Sequence, residues 1–101
     1  KLLRQPPIDS KTTPVHWFTS FLTDYKQEFK KHLENYNIQT RDFFYPLNKQ
    51  PCYQDSDFID SSADLPVSEK IYNCGVSLPS SYNINKKQLG QVCEAVNKFK
   101  V

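Results

Sequence analysis

Three side chains suited to binding an anionic ligand stand close together near the middle of the chain: Arg41, Tyr45 and Asn48. An arginine guanidinium offers a planar fork to a phosphate or a carboxylate. A tyrosine adds a hydroxyl or a stacking face, and an asparagine amide both donates and accepts hydrogen bonds. Two structural alternatives stay open: a surface ion pair of Arg41 with Asp42 or another acid, and packing alone for Tyr45.

These residues lie at the end of a predicted strand and in the loop after it. Residues 38–44 are rich in β-branched and aromatic side chains, which favours a strand. Pro46 and Pro51 end the strand and stiffen the following segment, because proline has no N–H to donate to a sheet. Such a loop is either a simple connection or a ligand-binding segment, and the side chains alone leave both open.

Two further strands are predicted. Residues 15–22 are expected to form a strand covered on both faces, with Trp17 and Phe18 in the core. Residues 76–78 are expected to form a short buried strand that ends at Pro79.

The first predicted helix, residues 24–36, joins two of these strands. Its apolar residues recur every four positions. Asp24 and Gln27 have the spacing of a capping box at its start. Asn37 is expected to end it, because asparagine tolerates the left-handed conformation that follows many helices.

Two more helices are predicted in the second half. One begins at Leu65-Pro66 and ends at Gly75. Its inward side chains are expected to be Val67, Ile71 and Tyr72. The other begins with a capping box of Asn85 and Gln88. Its buried stripe is expected to consist of Leu89, Val92, Cys93, Val96 and Phe99.

The element order is therefore β-α-β-α-β-α. It predicts a two-layer α+β domain: a three-stranded sheet, antiparallel or mixed, with helices packed on one side. A length of 101 residues suits one small domain with a modest core.

Composition excludes several functional classes. A net charge of +2 with scattered lysines argues against nucleic-acid binding. No apolar run approaches the roughly 20 residues that span a membrane. Three cysteines cannot all pair and lack metal-site spacing, which indicates a reducing, cytoplasmic compartment. The acidic residues 54–64 lack the glycine and final glutamate of a calcium loop, so we expect a solvated loop and no metal site.

The central segment resembles a family signature. The stretch Ile38 to Tyr53 is similar to the Ile-(Glu/Gln)-Thr-Arg-x-Phe-Phe-x-Pro-Leu-His-x-Gln-Pro-x-Tyr pattern in the C-terminal domain of the DegT/DnrJ/StrS sugar-nucleotide aminotransferases. Along this pattern the chain has Thr40-Arg41, Phe43-Phe44-Tyr45-Pro46-Leu47 and Gln50-Pro51-Cys52-Tyr53, with Tyr45 and Cys52 at its variable positions. Asn48 stands where the family usually has histidine; its amide keeps the hydrogen bonding of an imidazole without the ability to change charge near neutral pH.

The resemblance covers nearly the whole chain. Val15 to Phe18 looks like the opening strand of the family's small domain. Leu33 to Arg41 resembles its Leu-x-x-x-Gly-Ile-x-Thr-Arg turn, with Asn37 in place of glycine. Leu65 to Glu69, followed by Gly75 to Ser80, resembles the closing Pro-Val-Ala-Glu and Gly-Ile-Ser-Leu-Pro-Ser patterns.

The resemblance implies the C-terminal small domain of a pyridoxal phosphate (PLP)-dependent aminotransferase of fold type I. It would span residues 14–101, and residues 1–13 would be a linker from an N-terminal large domain outside this sequence. In such enzymes the Schiff-base lysine and the acid that pairs with the pyridine nitrogen belong to that large domain. Glutamate commonly donates the amino group. These residues alone would then bind no cofactor and be inactive.

Within a homodimeric parent enzyme, the resemblance implies that Arg41, Tyr45 and Asn48 face the cleft for a nucleotide-linked keto sugar. No catalytic residue is assigned to this chain. The alternative is a stand-alone α+β binding module that keeps the fold without the chemistry.

Overall fold

The structure is a computed structural model that describes residues 1–55, 57, 60 and 62–101. Its strands are β1 (Thr19–Leu22), β2 (Arg41–Asp42) and β3 (Gly75–Leu78), and its helices are α1 (Lys26–Glu34), α2 (Pro66–Cys74) and α3 (Lys86–Lys98). Two short 3₁₀ turns, Leu47–Lys49 and Pro51–Tyr53, follow β2. Part of the acidic segment 54–64 lies outside the described residues, so its prediction as a solvated loop stays a prediction.

The predicted α+β architecture is confirmed. The three strands form an antiparallel sheet in the order β1-β3-β2, so β3 is central and β2 lies at an edge. One layer of the core comes from Val76 and Leu78 on β3, and the other from helical residues. The helical members are Phe29 and Leu33 of α1, Val92 and Ala95 of α3, and Phe99.

The sheet is shorter than predicted. β1 begins at Thr19 because its partner β3 ends opposite that residue, at Leu78. Residues 15–18 therefore pair with no strand of the sheet, and Trp17 is 71% exposed, so its prediction as a core residue was wrong. Phe18 is half-buried. β2 is limited to two residues because it pairs with β3 only at Ser77 and Val76.

The predicted end of α1 is confirmed and its predicted start is wrong. Asn37 has φ of 56°, and the amide of Ile38 donates to the carbonyl of Leu33 at 3.0 Å, as in a helix-ending Schellman motif. At the other end no side chain caps the helix. Asp24 pairs instead with Arg4 at 2.9 Å, which takes up its carboxylate.

Both later helices bury less than predicted. On α2, Val67 is 70% and Ile71 is 38% exposed, and on α3, Leu89 is 49% exposed. Cys93 is exposed as well. The buried face of α3 is narrower than the predicted stripe: of its residues only Val92 and Ala95 belong to the buried core, with Phe99 just after the helix.

The predicted cap of α3 is confirmed. The amide of Gln88 donates to Asn85 Oδ1 at 2.8 Å, and the amide of Asn85 donates to Gln88 Oε1 at 3.0 Å. Replacing Asn85 with alanine is expected to lower the free energy of unfolding by about 1 kcal/mol, because a helix donor loses its partner. Urea denaturation measures the change.

Asn97→Ala is the matched control, since Asn97 lies inside the same helix and is exposed. It should leave stability unchanged or slightly higher, because alanine is the better helix former. Equal losses in both variants would contradict the capping role.

Candidate functional site

The face of the sheet opposite α1 and α3 carries a row of three polar residues. In the register, Ser77 of β3 pairs with Ser20 on one side and Arg41 on the other. Paired residues in a sheet point to the same face. The hydroxyl oxygens of Ser20 and Ser77 are 3.0 Å apart and hydrogen-bonded. The neighbouring Val76 points the other way, into the core.

Arg41 lines a groove of about 260 Å³ on this face. The rest of its lining consists of aromatic rings, the serine pair and Asp42; the residues are Phe18, Ser20, Asp42, Phe43, Phe44 and Ser77. Phe18 stacks on Trp17 with ring centroids 4.5 Å apart, and Phe44 meets Phe18 edge-on at 6.3 Å. A cation, two hydroxyls and aromatic faces can together hold an anionic ligand that also carries a planar group.

The surface ion pair considered for Arg41 with Asp42 is not formed. Asp42 turns to the helix face and accepts from Lys30 at 2.8 Å, with Lys26 at 3.3 Å. Among the residues that the structure describes, no acid forms an ion pair with Arg41. Arg41 is exposed and borders the groove.

Tyr45 lies on the surface of the loop after β2, with 42% of its area exposed. Its ring packs edge-to-face on Tyr72 of α2, with centroids 5.1 Å apart and an interplanar angle of 85°. Packing therefore accounts for one edge of the ring and leaves much of the residue accessible.

Asn48 lies inside the same loop and is only 4% exposed. Its side-chain nitrogen donates to the carbonyl of Ala63 at 2.9 Å, which ties two parts of the loop together. Its Oδ1 is buried without a hydrogen-bond partner in the described part of the chain. A buried acceptor in that state is costly, and no described contact joins Asn48 to Arg41 or Tyr45.

Sequence reasoning missed the groove walls and the charged contacts behind them. Ser20, Ser77 and Phe18 could have been found by pairing the strands in register, but that register is a long-range property. Lys26 and Lys30 are four residues apart on α1, a spacing that puts both side chains on one face of the helix. This spacing was the sequence signal for their shared contact with Asp42.

Asp42 makes stability depend on pH. Burial raises its pKa, but the hydrogen bonds from Lys30 and Lys26 outweigh burial, so the net pKa lies below the ordinary value of 3.8. A carboxylate with a lowered folded-state pKa stabilises the fold above its ordinary pKa, and this contribution disappears as the pH falls through the folded value.

We therefore expect the free energy of unfolding to fall on acidification below about pH 4, and Asp42→Asn to remove part of that fall. Urea denaturation at several pH values measures it. Asp55→Asn, an exposed aspartate without a described ion pair, is the control. Identical pH curves for wild type and Asp42→Asn would contradict the assignment.

A covalent site for PLP needs a lysine whose amino group is available to form a Schiff base. Lys26 is buried, but its ammonium is held by Asp42 and by the carbonyl of Tyr72 at 2.7 Å, so it is not available to bind a cofactor aldehyde. The other described lysines are exposed or half-buried. In the described ranges no group of histidine, cysteine and acidic residues could hold a metal ion, and no helix there is long and apolar enough to cross a membrane.

Comparison with known families decides which protein class this fold belongs to. The model of the DegT/DnrJ/EryC1/StrS aminotransferase family matches residues 2–97. The chain belongs to this family. The match spans the sheet, α1, α2 and nearly all of α3, so it includes the groove and the loop that follows β2.

Individual relatives of this DegT/DnrJ/EryC1/StrS family chain are sugar-nucleotide enzymes by name. It is 30% identical over 88 residues to GDP-perosamine synthase of Escherichia coli O157:H7, covering 84% of this chain and 23% of the relative. It is 31% identical over 93 residues to dTDP-3-amino-3,6-dideoxy-alpha-D-galactopyranose transaminase of Aneurinibacillus thermoaerophilus, covering 90% and 24%. The chain thus spans about a quarter of the length of these relatives.

A solved structure has the same fold. The sugar aminotransferase CalS13 from Micromonospora echinospora aligns with a TM-score of 0.74 at 15% identity, over 93% of this chain and 24% of that one. At this identity the likeness concerns the fold alone. It agrees with the predicted two-layer α+β fold.

Proposed function

We propose that this chain is the small C-terminal domain of a PLP-dependent aminotransferase that converts a keto group of a nucleotide-linked sugar into an amine, with glutamate as the donor. The observation that carries the proposal is the family match over residues 2–97. The names of the relatives, one acting on a GDP-linked and one on a dTDP-linked sugar, support a nucleotide sugar as the substrate class.

In this proposal residues 14–101 form the domain and residues 1–13 are its linker. The larger part of the enzyme, outside these residues, holds PLP, which would supply the electron sink for amino transfer. An exposed aromatic cluster supports a neighbouring large domain that covers it, because monomeric domains rarely leave large apolar patches open. Trp17 is 71% and Phe44 is 78% exposed, and their ring centroids lie 6.4 Å apart. The enzyme would act in the cytoplasm as a homodimer.

The chain contributes binding, not bond-making. Arg41 would offer two parallel N–H groups to a phosphate of the nucleotide sugar, with the hydroxyls of Ser20 and Ser77 beside it. Phe18 and Phe44 would offer ring faces to the planar part of the nucleotide. Tyr45 and Asn48 would border the sugar from the loop after β2.

The test is an assay of the full-length product of the gene with PLP and glutamate. GDP-linked and dTDP-linked 4-keto and 3-keto sugars are offered separately, and mass spectrometry detects the amino sugar. We expect amine formation with at least one substrate and none when glutamate is omitted. Lack of conversion of every nucleotide sugar would contradict the proposal and favour a binding module that keeps the fold without catalysis.

A further inference from the structure

Lys26 is an unusual residue to find buried in the first turn of α1. It is only 7% exposed, although burial of an ammonium is unfavourable unless the charge is paired. A positive charge near a helix N-terminus is also opposed by the helix dipole. Two separate costs therefore act on this side chain, and its contacts must offset them.

The contacts of Lys26 come from two different segments. Its Nζ lies 3.3 Å from Oδ1 of Asp42 on β2. It donates to the carbonyl oxygen of Tyr72 on α2 at 2.7 Å and lies 4.7 Å from the centroid of the same tyrosine ring. One ammonium thus links an edge strand to a helix that is far away in sequence.

The contact with Asp42 fixes the backbone that carries Arg41. β2 has only two residues and pairs with a single neighbour, so its ladder alone holds it weakly. Adjacent strand residues point to opposite faces. Holding Asp42 on the helix face, with help from Lys30, therefore sets the position from which Arg41 enters the groove.

The contact of Lys26 with Tyr72 also positions Tyr45, because Tyr72 packs against both side chains. The ring of Tyr72 lies against Lys26 Nζ and also packs edge-to-face on Tyr45. Lys26 therefore contacts Asp42, the sequence neighbour of Arg41, and Tyr72, the packing partner of Tyr45. No described contact joins Lys26 to Arg41 or to Tyr45.

We propose that Lys26 is a positioning residue that holds Arg41 and Tyr45 at a fixed separation for binding the nucleotide sugar. The proposal rests on the proposed function for its substrate. It concerns a lysine that acts through Asp42 and Tyr72 and stays away from the reacting atoms.

The kinetic test uses Lys26→Met in the full-length enzyme. Methionine keeps the length and helix preference of lysine without its charge, and Asp42 keeps Lys30 as a partner. We expect KM for the nucleotide sugar to rise roughly tenfold or more, with kcat and KM for glutamate near wild type, since misplaced binding groups lose ground-state and transition-state binding alike.

Two further variants separate positioning from general damage. Lys26→Arg keeps the charge and should restore most of the sugar affinity. Lys98→Met removes a lysine whose described ion pair, with Glu94 on α3, is exposed and involves neither β2 nor Tyr72, so KM for the sugar should stay at the wild-type value. An unchanged KM for the sugar in Lys26→Met, or an equal rise for glutamate, would overturn the proposal.

A second measurement does not depend on catalysis. In the 101-residue chain, NMR should show shifted or broadened signals of the Arg41 guanidinium and the Tyr45 ring in Lys26→Met and not in Lys98→Met. If the wild-type enzyme turns over no nucleotide sugar, the proposed function is wrong. The NMR signals still test whether Lys26 positions Arg41 and Tyr45. Unmoved signals would overturn it.

If Lys26→Met does not fold, Asp42→Asn tests the positioning of Arg41 instead. This variant removes the carboxylate charge on β2 that Lys26 and Lys30 share, and it leaves the contacts of Lys26 with Tyr72 intact. The Arg41 signals should then move while those of Tyr45 stay. Arg41 signals that stay in place would contradict positioning through Lys26.

Discussion

Replacing Arg41 with alanine in the full-length enzyme is expected to lower kcat/KM for the nucleotide sugar by roughly ten- to a hundredfold, because hydrogen bonds to charged groups contribute about 1.5–3 kcal/mol. The guanidinium borders the groove and forms no ion pair with any described acid. Its removal should therefore break few contacts within the fold. Stability should change by less than about 0.5 kcal/mol, as at most exposed positions. Steady-state kinetics and urea denaturation measure the two effects.

The chain offers a matched control for this variant. Arg4 is its other arginine, and it is exposed and paired with Asp24 away from the groove. Arg4→Ala should leave kcat/KM unchanged. Arg41→Lys should fall between wild type and Arg41→Ala, because lysine keeps the charge and loses the planar fork. Equal kinetics for wild type and Arg41→Ala would contradict the proposed phosphate contact.

Gly75→Ala is expected to destabilise the fold by about 1–3 kcal/mol, the usual range for overpacking. The residue has φ of −84°, which any amino acid adopts, so backbone conformation does not require glycine here. Lack of space requires it, because an added Cβ would collide with Cγ of Phe43 and lie 2.6 Å from Cδ1 of the same ring and from the carbonyl oxygen of Ile71. One of these neighbours is backbone and cannot easily move.

Gly90→Ala should change stability in the opposite direction. Gly90 lies inside α3, and a Cβ there meets nothing within 4 Å. Alanine should raise the free energy of unfolding by roughly 0.5–1 kcal/mol through its better helix preference. Urea denaturation measures the change in the free energy of unfolding for both variants, which should be negative for Gly75→Ala and positive for Gly90→Ala. An undiminished stability of Gly75→Ala would contradict the predicted collision and show that Phe43 and Ile71 can move away from the added Cβ.

Local chemistry explains which parts of the fold were predictable. The capping box of Asn85 and Gln88 and the left-handed Asn37 depend on residues within a few positions of each other, so their patterns are complete in the sequence. The central strand was predicted correctly because a short apolar run between Gly75 and Pro79 has few alternatives.

Long-range partners explain which parts were not. The exposure of Trp17 depends on where β3 ends, and the burial of Lys26 depends on Asp42 and Tyr72 arriving from other segments. For the site, sequence reasoning predicted Arg41, Tyr45 and Asn48 as one ligand-facing set. In the fold Arg41 borders a groove, Tyr45 is on the loop surface and Asn48 is enclosed, and their shared role stays a prediction.

The most direct test of the account is the absorbance spectrum of the full-length gene product, recorded with its intact mass before and after glutamate is added. A chain several times longer than 101 residues should show a PLP chromophore that glutamate bleaches toward the amine form. A product of about this length without a chromophore would contradict the aminotransferase account.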